Sequence, residues 1–531
     1  MPILCLLNAS HRNYFMHACA SILLIAVLAA CAPPQASPPD VTIHLAADGI
    51  TRDQQILAGT TVANALAQAD LALGDLDRIT PPLYSLLSDG ATITIIRVRE
   101  TFEMEQVDIP FERQVVRNEA FPPEETRLVQ AGKTGRQEIT YRVVTEDGVE
   151  VSRTPLTTAL LEEPLAEILM IGSTSTFRSV PIQGVLSYVD GGNAWILSGD
   201  TGNRLPLTAA GTLDSRVFAL SPDGRWLLYS RESEGEINAL DVVSTIDAGQ
   251  PFSLGVSNVR HFAGWSPRED RTIAYSTVQP VSVFPGWKAG NDLHILTFDS
   301  KGVVGKNITL LAPNTEGAYS WWGTNFAWSP DGSRLAYSRA DEVGWIGREG
   351  GVQQKLLTIT PFRTLSDSIW LPPVAWSADG AFLLTVRHGD PIGIELPEES
   401  PVFDLLAVPA NGVTPILLQD RTGMFSNPVA GPVVKSKYEQ GYNVAFLQSL
   451  RPLESDRSNY RLMTSDRDAS NLEAVFPPAG EQGLVGQSVR WSPDGAQIAI
   501  TYQGNLWIID RTTGLSQQIT GDGQVTAIDW K

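Results

Sequence analysis

The sequence predicts a mainly β protein in which a repeated β unit follows smaller β modules. Three observations indicate this class. A strand–turn–strand unit recurs from about residue 180 to the end, alternating polar and apolar segments precede it, and 45 glycines with 35 prolines suit a chain with many turns. A length of 531 residues exceeds what one core usually supports, so we expect two to four domains.

Composition and charge exclude several classes of protein. Hydrophobic residues make up 43% and charged residues 18%, which is typical of a globular chain. The 39 basic and 59 acidic residues give a net charge of −20, which argues against nucleic acid and anionic membrane surfaces as partners. Three cysteines cannot build a disulfide framework. A DNA-binding protein, a polytopic membrane protein and a cystine-rich scaffold are therefore excluded.

Residues 1–30 are predicted to be a signal peptide. Arg12 precedes an apolar run, 18–30, that is shorter than the roughly 20 residues needed to span a bilayer. The run ends Leu-Ala-Ala before Cys31, which resembles the bacterial lipobox. That resemblance implies a lipidated Cys31 as membrane anchor, followed by a Pro-rich tether over 31–40. The alternative is an ordinary signal peptide with a chance cysteine.

Residues 41–100 are predicted to form a β-grasp module. Val41–Leu45 alternates as a strand does, Asp48-Gly49 marks a hairpin, and an apolar helical stripe begins at Val62. Ile93–Val98 is a closing strand. The segment resembles the ubiquitin-like modules of bacterial cell-wall proteins such as the resuscitation-promoting factors.

Residues 102–174 resemble the G-five (G5) domain. The matching pieces are Ile109-Pro110-Phe111, Gly132-Lys133-Thr134-Gly135, Tyr141-Arg142-Val143, Asp147-Gly148 and Ile171-Gly172. The resemblance implies a thin module of extended strands, associated with cell-wall attachment and with glycans that contain N-acetylglucosamine. A purely structural stalk is the alternative.

The repeated unit predicts a β-propeller over 180–531. Its turns are variants of Trp-Ser-Pro-Asp-Gly, in which Pro and Asp-Gly suit a tight turn with one positive φ. The turn serines are Ser221, Ser266, Ser329, Ser377 and Ser492. These units resemble the Tol-B/WD-like propeller family.

The spacing of the units predicts seven blades, with six as the alternative. The intervals between the turn serines are 45, 63, 48 and 115 residues, so the last gap holds a hidden unit near 432–448. The terminal strand 525–530 has no partner strands after it, and 185–207 supplies strands that lack a first one. We therefore expect the C-terminal strand to complete the first blade and close the ring.

Propeller geometry predicts one candidate binding face. The aspartates of the repeats (Asp223, Asp331, Asp379, Asp494) are expected to cap hairpins on the other face. Aromatic residues and one histidine fall in the loops that lead into first strands or join second strands to third strands. We expect them to be exposed around the channel mouth as ligand-binding residues, with loop packing or channel filling as the alternative. They are Phe284, Trp287, Trp321, Trp322, Trp370 and His388.

The sequence contains no catalytic motif that we recognise. The histidines beyond the signal peptide are His44, His261, His294 and His388, and none forms a His-Glu-x-x-His pair. A nucleophile elbow and a phosphate loop are also missing from the sequence. We therefore expect no catalytic residue, no cofactor and no metal site.

The leading hypothesis is an extracytoplasmic lipoprotein on the bacterial surface. Its small modules would contact peptidoglycan or wall polysaccharide, and its propeller would bind a protein or glycan partner. One alternative is a propeller glycan hydrolase or lyase with two carboxylates facing each other across the channel mouth. Another is a structural spacer or assembly factor.

Overall fold

The computed structural model describes residues 39–118, 122, 125–172, 177–246, 249–364, 367–435 and 440–531. The predicted signal peptide, Cys31 and most of the tether lie outside the described residues. The chain divides into two compact units, and the boundary falls inside the G5 segment. The first comprises the residues up to Val107 together with Gln137–Leu160, and the second comprises Asp108–Arg136 together with Leu161–Lys531. No helix in the described ranges is long and apolar enough to cross a membrane.

The first unit begins with a four-stranded sheet and one helix. Its elements are β1 (Asp40–Ala47), β2 (Ile50–Leu57), α1 (Val62–Gln68), β3 (Arg78–Thr80) and β4 (Thr92–Ile96). The strand order is β2-β1-β4-β3, with β1 parallel to β4 and the other pairs antiparallel. This is the predicted β-grasp arrangement.

The helix is positioned by its cap and its apolar side. Thr61 Oγ1 accepts a hydrogen bond from the backbone N–H of Asn64 at 3.4 Å, which satisfies a free donor of the first turn. Val62 and Leu66 are buried with Ile93 in one apolar cluster. The helix therefore closes the core of this sheet.

Six strands follow in the G5 segment and form two sheets. They are β5 (Val98–Ile109), β6 (Arg113–Asn118), β7 (Thr126–Gln130), β8 (Gly135–Glu146), β9 (Val149–Glu162) and β10 (Glu167–Gly172). One sheet has the order β5-β8-β9 and lies mostly in the first unit. The other has the order β6-β10-β7 and belongs to the second unit.

Arg97 holds the β8–β9 turn beside the end of the β-grasp sheet. Its backbone N–H donates to Asp147 Oδ1 at 2.9 Å, and the Asp147 N–H donates back to the Arg97 carbonyl at 2.9 Å. Its guanidinium group donates to Asp77 at 2.6 Å, to Asp48 at 2.8 Å and to the Ala72 carbonyl at 2.7 Å. One side chain thus joins three stretches of the first unit.

The β6-β10-β7 sheet shares its core with the propeller. Val116, Ile168 and Met170 are buried in the same apolar cluster as Leu186 and Trp530. In addition, Asn118 Nδ2 donates to the Arg204 carbonyl at 3.1 Å. This half of the G5 segment is therefore packed as part of the second unit.

From residue 181 onward the described residues form seven sheets and a two-stranded hairpin. In chain order, with semicolons between sheets, the first four sheets contain β11 (Pro181–Asp190), β12 (Asn193–Pro206); β13 (Leu213–Leu220), β14 (Trp226–Arg231), β15 (Ala239–Ser244), β16 (Phe252–Ser257); β17 (Val259–Trp265), β18 (Thr272–Pro280), β19 (Trp287–Ala289), β20 (Leu293–Phe298), β21 (Val304–Leu311); and β22 (Asn325–Trp328), β23 (Arg334–Ser338), β24 (Glu342–Gly347), β25 (Gln354–Thr358). The next two contain β26 (Val374–Trp376), β27 (Phe382–His388), β28 (Phe403–Pro409), β29 (Ile416–Gln419); and β30 (Val429–Ala430), β33 (Asn443–Ser449), β34 (Tyr460–Asp466), β35 (Glu473–Phe476), with the separate hairpin β31 (Val434–Lys435) and β32 (Gln440–Gly441) between β30 and β33 in the chain. The seventh contains β36 (Arg490–Trp491), β37 (Gln497–Tyr502), β38 (Asn505–Asp510) and β39 (Ser516–Gln518), and the last strand, β40 (Val525–Trp530), joins the first sheet. Short 3₁₀ turns span Pro397–Glu399 and Pro452–Glu454.

The sheets are the blades of a propeller, and the chain ends close it. Inner strands of successive blades contact each other, as β13 does with β17 and β17 with β22. The terminal strand β40 pairs antiparallel with β11, placing Trp530 opposite Leu186 and Ile528 opposite Tyr188. The first blade has the order β12-β11-β40. The predicted pairing of the C-terminal strand with the first blade is therefore present.

The tryptophan of the repeat joins four of the blades to the blade before them. Its indole N–H is a donor that needs a partner when buried. The acceptors are backbone carbonyls of the preceding inner strand, in the pairs Trp265–Ala219, Trp328–Gly264, Trp376–Ala327 and Trp491–Val429, at 2.8 to 3.3 Å. The same side chain supplies apolar area and a directional bond between blades.

Candidate functional site

The repeated aspartates are engaged within their own turns. In the turn after β22, Ser329 Oγ donates to Asp331 Oδ1 at 2.6 Å, and the Ser333 N–H donates to the same carboxylate at 3.1 Å. These hydrogen bonds lower the pKa of Asp331 to about 2. The turns at Asp223, Asp379 and Asp494 repeat this pattern. The aspartates cap hairpins, as the sequence predicts.

Three of the predicted ligand-binding residues form one aromatic cluster. Trp287, in β19, has its ring centroid 5.1 Å from Trp322, which lies 5.5 Å from Trp321. Trp287 is only 4% exposed, whereas Trp321 and Trp322 are half-buried. The cluster also contacts His261, whose ring centroid is 5.1 Å from that of Trp287. Its rings therefore fill space between loops.

Trp370 and His388 belong to a different cluster, around Phe403. The Phe403 ring lies 5.0 Å from Trp370 and 5.1 Å from His388. The indole N–H of Trp370 donates to the Met424 carbonyl at 3.0 Å. The two ring nitrogens of His388 each lie 2.8 Å from a backbone carbonyl oxygen, those of Thr360 and Ser400. These side chains tie loops together.

The expectation of exposure is therefore wrong for Trp287, Trp370 and His388, which are 4%, 5% and 3% exposed. The long loops fold back over the blades, and large rings fill the gaps that result. Phe284 is exposed, at 68%. A role of these six residues in ligand binding stays a prediction.

A polar cleft opens at the start of the inner strands, where the ring closes. Its volume is about 550 Å³, within the range of small-molecule sites. Ser215 and Arg216 come from β13, Thr526 from β40, and Arg490 from β36. The lining is completed by the stretch before β36, by the end of β37 and by the turn after it, with Gln482, Gln487, Ser488, Tyr502 and Gln503. None of the six predicted binding residues lines it.

Two arginines, Arg216 and Arg490, line this cleft, and a third lies on a neighbouring strand. Arg490 lies 3.0 Å from Asp529, so its charge is balanced. Arg216 lies 3.6 Å from Asp214. Arg260, on the neighbouring inner strand β17, stacks over Trp287 with its guanidinium carbon 4.6 Å from the ring centroid. Burial and the nearby Arg216 lower the pKa of Arg260.

His261 is the next residue in the chain after Arg260, and the charges of Arg260 and Arg216 both act on its ring. Burial, and then the charge of Arg260, lower its pKa to about 4. Its Nε2 atom is buried without a hydrogen-bond partner among the described residues. A side chain at Gly323 would clash with that atom, since a Cβ there would stand 2.4 Å from it. His261 is therefore a neutral, tightly packed ring at neutral pH.

The sequence analysis missed Arg216 and Arg260. Both lie on inner strands near the end opposite the Ser-x-Asp turns. Arg216 stands five residues before the turn serine Ser221 and Arg260 stands six before Ser266, so no shared repeat position marks the two arginines. Among the described residues no group of three or more His, Cys, Asp or Glu side chains could hold a metal ion.

Family models match three segments of the chain. The G5 domain matches residues 100–174, and the G5-linked ubiquitin-like domain matches residues 43–83. The N-terminal region of dipeptidyl peptidase IV matches residues 455–529, from β34 into the terminal strand β40. The chain thus combines a ubiquitin-like module and a G5 domain with a propeller, and these predicted modules are confirmed.

Two curated relatives match the N-terminal part. Resuscitation-promoting factor Rpf2 of Corynebacterium glutamicum is 31% identical over 147 residues, covering 28% of this chain and 38% of the relative. Resuscitation-promoting factor RpfB of Mycolicibacterium smegmatis is 25% identical over 181 residues, covering 33% and 49%. The chain therefore spans less than half the length of either relative.

Solved propellers resemble the rest of the chain. A protein described as TolB from Agrobacterium tumefaciens is 18% identical, with 60% of this chain and 96% of that chain covered at a TM-score of 0.32. The propeller assignment itself comes from the strand order and ring closure described above.

Proposed function

We propose that this chain is a lipid-anchored, extracytoplasmic binding protein of the bacterial cell surface. Cys31 carries the lipid, the ubiquitin-like and G5 modules contact wall glycan that contains N-acetylglucosamine, and the propeller presents its channel mouth to a partner. The observation that carries the proposal is the adjacent match of both small modules, at 43–83 and 100–174. G5 domains are associated with cell-wall or glycan binding, which supports a binding role.

The surface of the β5-β8-β9 sheet supports glycan contact. Phe102 and Met104 on β5 are 58% and 72% exposed, and Leu156 on β9 is 58% exposed. Aromatic and apolar side chains on a flat strand surface can pack against the apolar faces of sugar rings. We assign Phe102 as the side chain that stacks on the glycan.

Co-sedimentation with purified peptidoglycan tests this proposal. The chain from residue 39 onward is used whole, because cutting near 176 would expose Val116, Ile168 and Met170. We expect saturable binding that Phe102→Ala weakens and that Leu515→Ala, at a 70% exposed position on the propeller, leaves unchanged. Absence of binding by the unchanged chain would overturn the glycan proposal.

Membrane anchoring needs a separate measurement. Metabolic labelling with a fatty acid, followed by membrane fractionation, should place label and protein together in the membrane fraction. Cys31→Ser should remove the label and release the protein. Label that persists in Cys31→Ser would contradict the assignment of Cys31.

A further inference from the structure

Two arginine side chains lie on inner strands at one end of the propeller, in a chain of net charge −20. Arg216 and Arg260 lie on the neighbouring inner strands β13 and β17. Both also lower the pKa of His261, after the larger effect of burial. Their nearby carboxylate is Asp214, 3.6 Å from Arg216. Asp214 also accepts hydrogen bonds from Asn238 at 2.9 Å and from Ser230.

Arg260 is held in place without a carboxylate partner. Its guanidinium group stacks on Trp287, and Trp322 and His261 pack against that ring. No ion pair to Arg260 is formed within the described residues. A fixed guanidinium group with free N–H donors is suited to a two-point contact with a carboxylate or phosphate.

The cleft beside Arg216 offers neutral hydrogen-bonding groups. Ser215 and Thr526 meet at 2.6 Å between their hydroxyl oxygens, and Gln482 and Ser488 line the same space. Hydroxyl and amide groups pair readily with sugar hydroxyls. The volume of about 550 Å³ leaves room for a short saccharide.

We propose that the propeller binds an acidic saccharide at this mouth, with the carboxylate or phosphate of the ligand between Arg216 and Arg260 and its sugar rings in the cleft. This assigns a ligand class to the propeller and rests on the proposed function only in treating the propeller as a binding module. The aromatic cluster at Trp287 acts by holding Arg260 rather than by stacking on the ligand.

Titration calorimetry on the whole chain from residue 39 tests the proposal. The probes are tetragalacturonate for a carboxylate, glucose 6-phosphate for a phosphate, and maltotetraose as the neutral control. We expect binding of at least one acidic probe, weakened by added salt, and no binding of maltotetraose. The acidic probe that binds identifies the source of the anion.

Variants locate the binding. Arg260→Met keeps the packing on Trp287 and should lower the affinity for the acidic probe about tenfold, as should Arg216→Ala. Arg260→Lys keeps the charge but loses the planar fork, so we expect a smaller loss. The matched control is Arg268→Ala, which removes one exposed charge in the turn beyond the other end of β17.

Three results would overturn the inference: no binding of either acidic probe, equal binding of maltotetraose, or an equal loss in Arg268→Ala. Circular dichroism and melting temperature establish that each variant is folded. If Arg260→Met does not fold, Arg216→Ala decides, because that side chain is 39% exposed. Peptidoglycan co-sedimentation measures binding by the small modules, so it can detect binding even when calorimetry shows no binding of an acidic saccharide by the propeller.

Discussion

The two sheets of the G5 domain are stabilised in different ways. In β10 the side chains of Ile168 and Met170 are buried in a core shared with the propeller. In β9 thirteen of the 14 residues are exposed. The β5-β8-β9 sheet instead has ion pairs along its surface, such as Arg142–Glu100 at 2.6 Å and Arg153–Glu103 at 2.7 Å.

This difference shows that a family module need not be one physical unit. A small sheet needs a hydrophobic face that is covered to be stable. The β6-β10-β7 sheet is covered by the propeller core, whereas β5-β8-β9 pairs strands of 12 to 14 residues that are mostly exposed in β5 and β9. The compact units therefore divide the G5 segment rather than follow its ends.

The largest expected effect is on the free energy of unfolding, and it compares a buried side chain in one sheet with an exposed side chain in the other. Met170→Ala removes a side chain that is 1% exposed and should lower the free energy of unfolding of the second unit by about 3 kcal/mol. Leu156→Ala, at a 58% exposed position on β9, should change stability by less than about 0.5 kcal/mol. Urea denaturation followed by tryptophan fluorescence measures Met170→Ala, because all 13 tryptophans lie in the second unit, and hydrogen exchange over residues 137–160 measures Leu156→Ala in the first unit. Equal effects of the two substitutions on the free energy of unfolding would contradict the inferred difference in how the two sheets are stabilised.

The second expected effect is a difference between the two units in how their stability depends on pH. Burial lowers the pKa of His261 to about 4, whereas an unfolded histidine titrates near 6.5. Between these values the unfolded state binds more protons, so the second unit should lose stability as pH falls from 6.5 to 4. The loss at pH 5 is about 2 kcal/mol.

His261→Gln is the control for this pH dependence. Urea midpoints at pH 7 and pH 5 should differ less in the variant than in the unchanged chain. In the first unit the guanidinium group of Arg97 lowers the pKa of Asp48, so that contribution is lost only as pH falls below about 3.8. An identical pH dependence in His261→Gln would show that other groups carry it.

The smallest expected effects lie within the first unit. Arg97→Ala removes hydrogen bonds to Asp77 and to the Ala72 carbonyl and should cost about 1–2 kcal/mol. Arg153→Ala removes exposed ion pairs and should change little. Hydrogen exchange over residues 40–107 measures both, with faster exchange expected only for Arg97→Ala. Faster exchange in Arg153→Ala would show that surface pairs matter more than we infer.

Local pattern was enough to predict most of the architecture. The Asp48-Gly49 hairpin, the helix at Val62 and the Ser-x-Asp turns depend on neighbours in sequence, and the structure has them as expected. Closure of the propeller could also be predicted from the sequence, because strand 525–530 lacked partner strands that residues 185–207 could supply. The shared core of β10 and the propeller was not predicted, since no local signal says which distant surface covers a strand.

The candidate site was predicted less well than the fold. Sequence position placed Trp287 and Trp370 in loops, but their burial depends on how those loops fold over neighbouring blades. The same folding leaves Arg260 held on Trp287 beside Arg216, on strands whose residues are 44 positions apart in the sequence. Arg216 and Arg260 lie on neighbouring strands because successive blades pack against each other, and no local sequence pattern predicts this pair.

The amino-acid sequence by itself determined the modules, their order and the closure of the propeller, because hairpin turns, alternation and repeats act over short distances. Tertiary structure alone decided that half of the G5 domain packs into the propeller core. It also decided that Trp287, Trp370 and His388 are buried and that Arg216 and Arg490 line the cleft. The physical reason is that burial and charge balance depend on which surfaces meet, and those surfaces come from residues far apart in the chain.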